Sequence, residues 1–215
     1  GAFFGRQSEV NLSGGFGAVR LGRFTAESYY ATADYVSMHN HDTGSSSDAF
    51  YAYVMPDANK IAYRTPTFGG AFDLAANYNL GALALGAGYS KQGDVNQFAA
   101  RALYTFGAFT VGGYIQRDED AYVLNGGKRN TFRLAGAYNL GASEFHVNVG
   151  RAGEYKNLND SDATQYTLGY NYNLSKRTKV YGYYTHVNNS RNAAYQSGVA
   201  GADFSSVAVG IRHNF

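Results

Sequence analysis

The last nine residues of the chain, Val207-Ala-Val-Gly-Ile-Arg-His-Asn-Phe215, alternate between apolar and small or polar side chains. In an extended strand successive side chains point to opposite faces, so one face here is largely apolar and the other small or polar. The same alternation recurs along most of the sequence, and no separate core-forming segment interrupts it. We therefore predict an all-β fold, a transmembrane antiparallel β-barrel whose outer face meets lipid and whose inner face lines a water-filled lumen.

The composition agrees with many strands and argues against spanning helices. The 215 residues include 20 Tyr, 14 Phe and 27 Gly but only 2 Pro, as expected for strands with aromatic girdles at two membrane interfaces. No segment approaches the roughly 18 consecutive apolar residues of a spanning helix. The absence of Cys excludes disulfides and thiolate metal sites. The formal net charge of +2 is too small to indicate a nucleic-acid partner.

Repeated turn sequences divide the chain into short and long connections. Tyr-Asn-Leu-Gly occurs at 78–81 and again at 138–141, with near copies at 104–107 and 172–175. Each copy ends one alternating segment just before the next begins, which is typical of a tight hairpin turn. Longer polar links separate these hairpins. Outer-membrane barrels combine short periplasmic turns with long extracellular loops, whereas a soluble up-and-down barrel, the alternative, has no reason to keep this alternation.

Twelve segments are predicted as strands of a single barrel domain, residues 1–215, and a long irregular link occupies residues 24–59. The segments are residues 6–13, 18–23, 60–65, 71–76, 83–90, 96–106, 109–116, 130–140, 144–150, 164–174, 179–187 and 205–215. If 67–70 and 79–81 are both periplasmic turns, the residues between them must cross the membrane twice, which needs about 20 residues. We therefore predict that an outer loop and its flanking strands are missing between Ala75 and Tyr78. A genuine twelve-stranded barrel is the alternative.

Several motifs resemble the general diffusion porins of Gram-negative bacteria, in particular the betaproteobacterial and neisserial type. They are Phe4-Gly5-Arg6-Gln7, Phe16-Gly17-Ala18-Val19-Arg20, Tyr63-Arg64-Thr65-Pro66, Tyr172-Asn173-Leu174-Ser175 and the terminal strand, in this order. The resemblance implies a homotrimeric outer-membrane channel of about sixteen strands. It also implies about three further N-terminal strands and a constriction loop, residues 24–59, folded into the barrel.

Acidic residues predominate in the long link, and basic residues predominate on the barrel wall. Residues 24–59 contain Glu27, Asp34, Asp48 and two further Asp but no Lys or Arg. Alternation places Arg20, Lys60, Arg64, Arg101 and Arg133 on the lumen face, with Glu9, Asp73 and Glu144 as the inward acids. Strict alternation puts Arg6 on the lipid face, whereas the resemblance places an arginine at this position near the constriction, and a bulge at Gly5 would reconcile the two.

These charges predict a passive channel for small hydrophilic solutes with a preference for anions, because rings of Arg and Lys favour anions. The acids of the link are expected to stand across the pore from the basic wall, which would produce a transverse field. For each arginine a wall salt bridge or a lipopolysaccharide contact is the alternative. The expected partners are a second and third copy of the chain, outer-membrane lipid and lipopolysaccharide, and small anions, with no nucleic acid.

Two other functions remain open at this stage. A specific channel for sugars or organic acids would use the many tyrosines to bind its substrate. An outer-membrane barrel enzyme is the second alternative, but no strand presents a Ser-His pair with a third partner. His39 and His41 are spaced as two metal ligands in an extended segment, yet no third ligand is evident. We therefore expect no catalytic residues, no metal and no cofactor.

Overall fold

The computed structural model describes residues 7–14, 17–32, 48–54, 60–63, 71–121, 123 and 125–214. Within these residues, twelve strands form a single sheet in sequence order, and one short helix, α1 (Glu27–Thr32), lies in the link after residue 23. The strands are β1 (Ser8–Gly14), β2 (Gly17–Arg23), β3 (Lys60–Tyr63), β4 (Ala71–Leu80), β5 (Leu83–Gln92), β6 (Val95–Phe106), β7 (Phe109–Glu119), β8 (Lys128–Leu140), β9 (Ser143–Ala152), β10 (Ala163–Asn173), β11 (Thr178–Asn189) and β12 (Phe204–His213). The predicted all-β fold is confirmed, and each predicted strand is present. The helix was not predicted.

Short turns join most neighbouring strands into antiparallel hairpins. β7 and β8, for example, pair from Phe109 opposite Tyr138 to Glu119 opposite Lys128. The repeated Tyr-Asn-Leu-Gly motifs close two of the short turns, and their glycines Gly81 and Gly141 have φ values of 58° and 60°. Glycine adopts this left-handed conformation without the steric cost of a Cβ atom, so the motif suits a two-residue turn.

One pair of neighbouring strands, β3 and β4, is parallel, and this joint between them differs from the predicted gap. β4 is continuous from Ala71 to Leu80 and pairs with β5 along its whole length, so the predicted break between Ala75 and Tyr78 is wrong. The change of direction lies one strand earlier, where β3 and β4 run parallel through Ile61 opposite Phe72. Because β4 runs in the same direction as β3, a single crossing brings the chain to the turn at Gly81. The predicted turn at 67–70 lies outside the described residues.

The two ends of the sheet differ in their connections and side chains. One end, here called the short-turn end, carries the turns 81–82, 107–108, 141–142 and 174–177. The other carries the long connections 120–127, 153–162 and 190–203, together with the two-residue turn 93–94. Outward-facing aromatic rings form a nearly continuous row at the short-turn end, with neighbouring centroids 4.4–6.4 Å apart. The row consists of Tyr104, Phe106, Phe109, Tyr138, Phe145 and Tyr170. This arrangement matches an aromatic girdle at one membrane interface.

The two faces of the sheet are inverted relative to a soluble protein. Apolar side chains such as Ile115 and Leu134 point outward with 61% and 66% of their surface exposed. Polar side chains on the other face are buried, including Gln165 and Asn171. The strands thus place large apolar side chains outside and mostly polar or small side chains inside, as predicted. None of the helices in the described part of the chain is long and apolar enough to span a membrane.

The outward apolar band predicts that a charged side chain on this face lowers stability more at mid-strand than near the strand end. Leu134 lies midway along β8, whereas Asn130 lies close to the long-connection end of the same face. We expect Leu134→Arg to lower the free energy of unfolding by about 2–4 kcal/mol and Asn130→Arg by about 0–1 kcal/mol. Urea unfolding of protein folded into lipid vesicles measures both values. Equal costs at the two positions would contradict the assignment of this face to lipid.

Candidate functional site

The long link between β2 and β3 is bound to the inner face of the sheet through α1. Asp73 on β4 accepts hydrogen bonds from the backbone amides of Glu27 and Ser28, the latter at 3.2 Å, and from the Ser90 hydroxyl at 2.6 Å. The first amides of a helix have no partner within the helix, and a carboxylate is their preferred acceptor. A helix of six residues is too short to be stable alone. The wall therefore supplies the cap that fixes where α1 begins.

Two glycines on β5 let the helix lie directly against the wall. A Cβ atom at Gly88 would lie 2.6 Å from the Ser28 Cα, and one at Gly86 would lie 1.9 Å from the Ala31 carbonyl oxygen. Neither position tolerates a side chain, because both clashes are with backbone. The hydroxyls of Ser28 and Ser90 are 2.5 Å apart, which closes the contact with a hydrogen bond.

Arg20 on β2 joins the start of the helix to the first strand. Its Nε donates to Glu9 Oε2 at 2.6 Å, and its Nη1 forms an ion pair with Glu27. The guanidinium also lies over the Phe24 ring, 4.4 Å from its centroid. One arginine therefore holds two carboxylates, one from the wall and one from the link.

Arg133 on β8 holds the second described piece of the link, residues 48–54. Its guanidinium forms a bidentate ion pair with Asp48, with Nε–Oδ2 and Nη2–Oδ1 distances of 2.9 and 2.7 Å. Nη2 also donates to Gln165 Oε1 at 2.7 Å, Nη1 donates to Asn148, and the Tyr114 hydroxyl donates to Asp48. The side chain of Arg133 is 1% exposed and that of Asp48 7%. Bidentate geometry with these additional hydrogen bonds is what a buried ion pair requires.

Wall side chains also pair with the backbone of the link. Gln116 accepts from the Ala52 amide at 2.8 Å and donates to the Ala52 carbonyl at 2.9 Å. Gln165 accepts from the Ala49 amide at 3.0 Å, and Arg129 donates to the Phe50 carbonyl at 2.8 Å. Buried backbone groups need partners, and glutamine and arginine side chains supply them here. The segment is thus held without joining the sheet.

Arg129 belongs to a buried group that sequence reasoning missed. It pairs with Asp118 at 3.0 Å and donates to the Tyr195 hydroxyl at 2.6 Å, and its guanidinium lies 4.9 Å from the centroid of the Tyr155 ring. The predicted strand began at residue 130 and left Arg129 in the polar link before it, whereas β8 begins at Lys128. The signal was present, because Arg129, Thr131 and Arg133 share one face once the strand is extended.

A further polar group lies on the inner face of β9–β11. Asn171 and Asn173 each donate to Glu144 at 2.8 Å, and Lys179 Nζ lies 3.7 Å from the same carboxylate. His146 Nε2 is 3.6 Å from Glu144 and 3.0 Å from Asn171 Nδ2. The inward acid Glu144 is therefore surrounded by donors contributed by three strands.

The ion pair with Arg133 of the wall explains why Asp48 of the link is ionised. Burial alone would raise the pKa of this carboxyl, but attraction by Arg133 and the hydrogen bonds from Tyr114 and the Phe50 amide outweigh it. The pKa of Asp48 therefore lies below its usual value of 3.8. The ion pair stays intact at neutral pH and through mild acid.

The charges of the link are not separated from the wall as expected. Glu27 and Asp48 contact Arg20 and Arg133 directly, so the expectation that the acids stand across the pore from these bases is wrong for both. The reason is that buried charges of opposite sign lower their desolvation cost by pairing. Arg101 lies on the inner face, and its Nη2 is 3.3 Å from Asn77 Oδ1.

Several predicted positions cannot be compared with the structure. Arg6, Arg64 and Asp34 lie outside the described residues, as do His39 and His41, and for Lys60 only the backbone is described. Within the described ranges, no group of three or more His, Cys, Asp or Glu residues could hold a metal ion.

Comparison with known proteins gives concordant results. The sequence profile of a Gram-negative porin family matches residues 1–71 and 69–192. Outer membrane porin protein 32 of Delftia acidovorans is 30% identical over 271 residues, covering 99% of this chain and 74% of that protein. Solved structures with the same fold include OmpF of Salmonella typhi, in a complex with daunomycin, and OmpT of Vibrio cholerae. OmpF has a TM-score of 0.72, 16% identity and coverage of 98% of this chain and 78% of that one. The corresponding values for OmpT are 0.64, 17%, 97% and 80%.

The Arg133–Asp48 pair predicts strong coupling between the two residues. Arg133→Gln alone leaves the Asp48 carboxylate buried without its counter-ion, and we expect a loss of about 3–5 kcal/mol in the free energy of unfolding. Arg133→Gln combined with Asp48→Asn should cost less than the sum of the two single changes. Urea unfolding in vesicles measures the cycle, and Arg177→Gln in an exposed turn is the control. Additive single effects would show that the pair is not a stabilising unit.

The depressed pKa of Asp48 predicts a loss of stability in strong acid only. Above about pH 5 the carboxyl is ionised in both folded and unfolded chains, so its contribution is complete. As the pH falls through the folded-state pKa, protonation removes that contribution. The difference in thermal unfolding midpoint between wild type and Asp48→Asn should stay constant from pH 8 to about pH 5 and shrink below it. A difference that already shrinks between pH 7 and 5 would contradict the lowered pKa.

Proposed function

The chain belongs to the Gram-negative porin family, and from this premise we propose that it forms an anion-preferring channel for small hydrophilic solutes. Membership of this family makes the protein an outer-membrane channel rather than an enzyme. Transport is proposed to be passive diffusion through the lumen. We further propose a homotrimer surrounded by lipid and lipopolysaccharide, on the strength of the sequence resemblance described above.

We propose the anion preference because the carboxylates that face the lumen are already bound by protein donors. On the described strands, on α1 and in residues 48–54, each inward carboxylate already accepts hydrogen bonds from protein donors or forms an ion pair with a basic side chain. Glu9 and Glu27 bind Arg20, Asp48 binds Arg133, Asp118 binds Arg129, Asp73 binds backbone amides of α1, and Glu144 binds Asn171, Asn173 and Lys179. A carboxylate engaged in this way offers little to a passing cation.

The basic residues of the wall add the second part of the proposal. Arg101 is partly exposed on the inner face of β6, beside the end of α1. Lys60 and Arg64 are proposed as further pore-lining bases, together with Arg6, on the sequence pattern alone. Positive side chains on a narrow pore wall lower the barrier for anions, because the interaction strengthens where less water screens it.

A tyrosine cluster supports the second candidate, a channel that binds a sugar or an organic acid. Tyr29, on α1, has ring centroids 5.5 Å from Tyr51 and 5.3 Å from Tyr53. Tyr30 lies 5.6 Å from Tyr29, and Tyr30 and Tyr53 are 46% and 37% exposed. Exposed aromatic faces can stack on flat apolar surfaces of a solute. A solute that blocks ion current at low concentration would favour this candidate over general diffusion.

Arg101 provides the test of anion preference. We expect the wild type in a planar bilayer under a salt gradient to show a reversal potential of the sign set by anions. One charge contributing about 1 kcal/mol at a water-like dielectric corresponds to a roughly fivefold change in permeability ratio. Arg101→Gln should therefore lower the anion-to-cation ratio by about that factor at low salt, and less at 1 M salt.

Arg177→Gln, which removes the same charge from an exposed short turn, is the matched control and should leave the ratio unchanged. Cation preference in the wild type, or an equal effect of the two variants, would overturn the proposal.

A further inference from the structure

Two basic side chains face each other on the lumen face of β11 and β12, at the short-turn end of the sheet. Lys179 and Arg212 are direct cross-strand partners. Lys179 faces the lumen, because its Nζ lies 3.7 Å from the inward carboxylate of Glu144, and Arg212 shares that face as its partner. Like charges placed directly opposite each other destabilise a pair of strands. An anion bound between the two side chains would remove this repulsion.

The described chain gives this pair of cations little negative charge. The Glu144 carboxylate already accepts hydrogen bonds at 2.8 Å from two asparagine amides of β10, so Lys179 has only a share of it. Arg212 is exposed and forms no ion pair within the described residues, and its Nε lies 3.4 Å from Asn214 Oδ1. A guanidinium binds a carboxylate through two parallel hydrogen bonds. The carboxylate of a solute therefore matches what this pair lacks.

A flat aromatic surface lies next to the two cations. Tyr181 is two residues beyond Lys179 on the same face of β11, about 7 Å along the strand, and it pairs with Gly210. Its ring lies on the backbone of Gly210, where a Cβ atom would be 2.5 Å from the ring Cζ. The ring also stacks on Tyr183, with centroids 5.2 Å and planes 27° apart. Tyr181 is half-buried, so one face rests on the wall and the other meets the lumen.

Tyr183 fixes the orientation of this surface. Its ring lies on Gly169, where a Cβ atom would be 2.6 Å from the ring Cδ1, and its hydroxyl donates to Asn171 Oδ1 at 2.8 Å. Asn171 Nδ2 in turn donates to Glu144 at 2.8 Å. Tyr183 is only 3% exposed, so it supports the ring of Tyr181 without meeting a solute itself. The aromatic surface is thus in place before a solute arrives, which lowers the cost of binding.

The surrounding groups favour a ring that carries one carboxylate and few hydroxyls. The side-chain amides of Asn171 and Asn173 already donate to Glu144, so the hydroxyls of a sugar acid would have to compete for them. An aromatic ring stacks on a tyrosine ring in an offset arrangement. A saturated acid of the same charge has no flat face, and an inorganic anion has no ring.

We propose that Lys179, Arg212 and Tyr181 form a binding site for aromatic monocarboxylates near the short-turn mouth of the pore. The carboxylate lies between the two cations, and the ring stacks on Tyr181. The inference rests on the proposed role as a channel for small solutes and deepens it by naming a solute class. It uses other side chains than the tyrosine cluster of the link, and it does not depend on which inorganic ions the pore prefers.

Block of the ion current in a planar bilayer tests the site, with benzoate as the probe and acetate as its ring-free control. In the wild type, benzoate should block at a concentration about tenfold lower than acetate, with cyclohexanecarboxylate between the two. Arg212→Gln and Lys179→Gln should each raise the blocking concentration of benzoate about tenfold, because a hydrogen bond between charged groups is lost. Tyr181→Leu should raise it by about three- to tenfold and leave that of acetate unchanged.

Two matched variants separate the site from general effects. Arg117→Gln removes a charge from an exposed outward position on β7, and Tyr172→Leu removes an exposed outward ring on β10. Both should keep the wild-type block by benzoate. Equal blocking concentrations of benzoate and acetate in the wild type, or an unchanged block in Arg212→Gln and Tyr181→Leu, would overturn the proposal. Stronger block by succinate than by benzoate would also overturn it, because the cations would then recognise two carboxylates and not a ring.

Reversal potentials in potassium chloride keep this outcome distinct from the proposed anion preference. A cation-preferring wild type that benzoate still blocks through Tyr181 would overturn the preference and support the site. An anion-preferring wild type in which benzoate acts like acetate would do the reverse. Tyr53→Leu, in the tyrosine cluster of the link, should leave the benzoate block unchanged. Loss of the block in this variant but not in Tyr181→Leu would move the site to the link and overturn the proposal.

Discussion

Every backbone N–H and C=O group that crosses a hydrocarbon layer must find its partner within the protein, and the rest of this structure depends on that requirement. Backbone hydrogen bonds between neighbouring strands meet this requirement, so the two faces of the sheet differ only in their side chains. The outer face then has to be apolar, as Leu134 and Ile115 are. The inner face is released from that demand and can hold arginine, glutamine and asparagine at positions where a soluble protein would place its hydrophobic core.

That polar interior is what binds the long link. Arg20, Arg129 and Arg133 all project from strands, and each reaches the link through a carboxylate or a carbonyl oxygen. The two described pieces of the link depend on the wall: the helix has six residues, and the extended piece, residues 48–54, donates backbone hydrogen bonds to wall glutamines. A rigid sheet thus imposes a conformation on a segment with little of its own. Among the described residues, Glu27 and Asp48 of the link are paired with Arg20 and Arg133 at the wall, so these four charges do not form two opposed surfaces.

The sequence was sufficient for the strands, because period-two alternation and the repeated turn motif are local signals. The lumen assignment of Arg20, Arg101 and Arg133 used the same local rule. Which acid meets which base is a long-range question, since Asp48 and Arg133 are 85 positions apart, and no local pattern encodes that distance. The capping of α1 by Asp73 was hidden for the same reason. Arg129 was missed by a boundary error, since the strand begins two residues before the predicted start.

The parallel joint between β3 and β4 has a consequence for the helix. Parallel neighbours ordinarily need a connection of a dozen or more residues. Among the described residues, β3 and β4 are paired at two positions, Ile61 with Phe72 and Ala62 with Asp73. The two matched segments of the family profile meet at residues 69–71, at this same joint, and the Delftia porin aligns over 271 residues against the 215 present here. Within the described part of the chain, few ladder pairs therefore join the two halves of the sheet. α1 spans the joint: Arg20 on β2 holds Glu27 from one side, and Asp73 on β4 holds the amides of Glu27 and Ser28 from the other. The contacts that place the link inside the pore are thus also contacts that connect the sheet across the joint between β3 and β4.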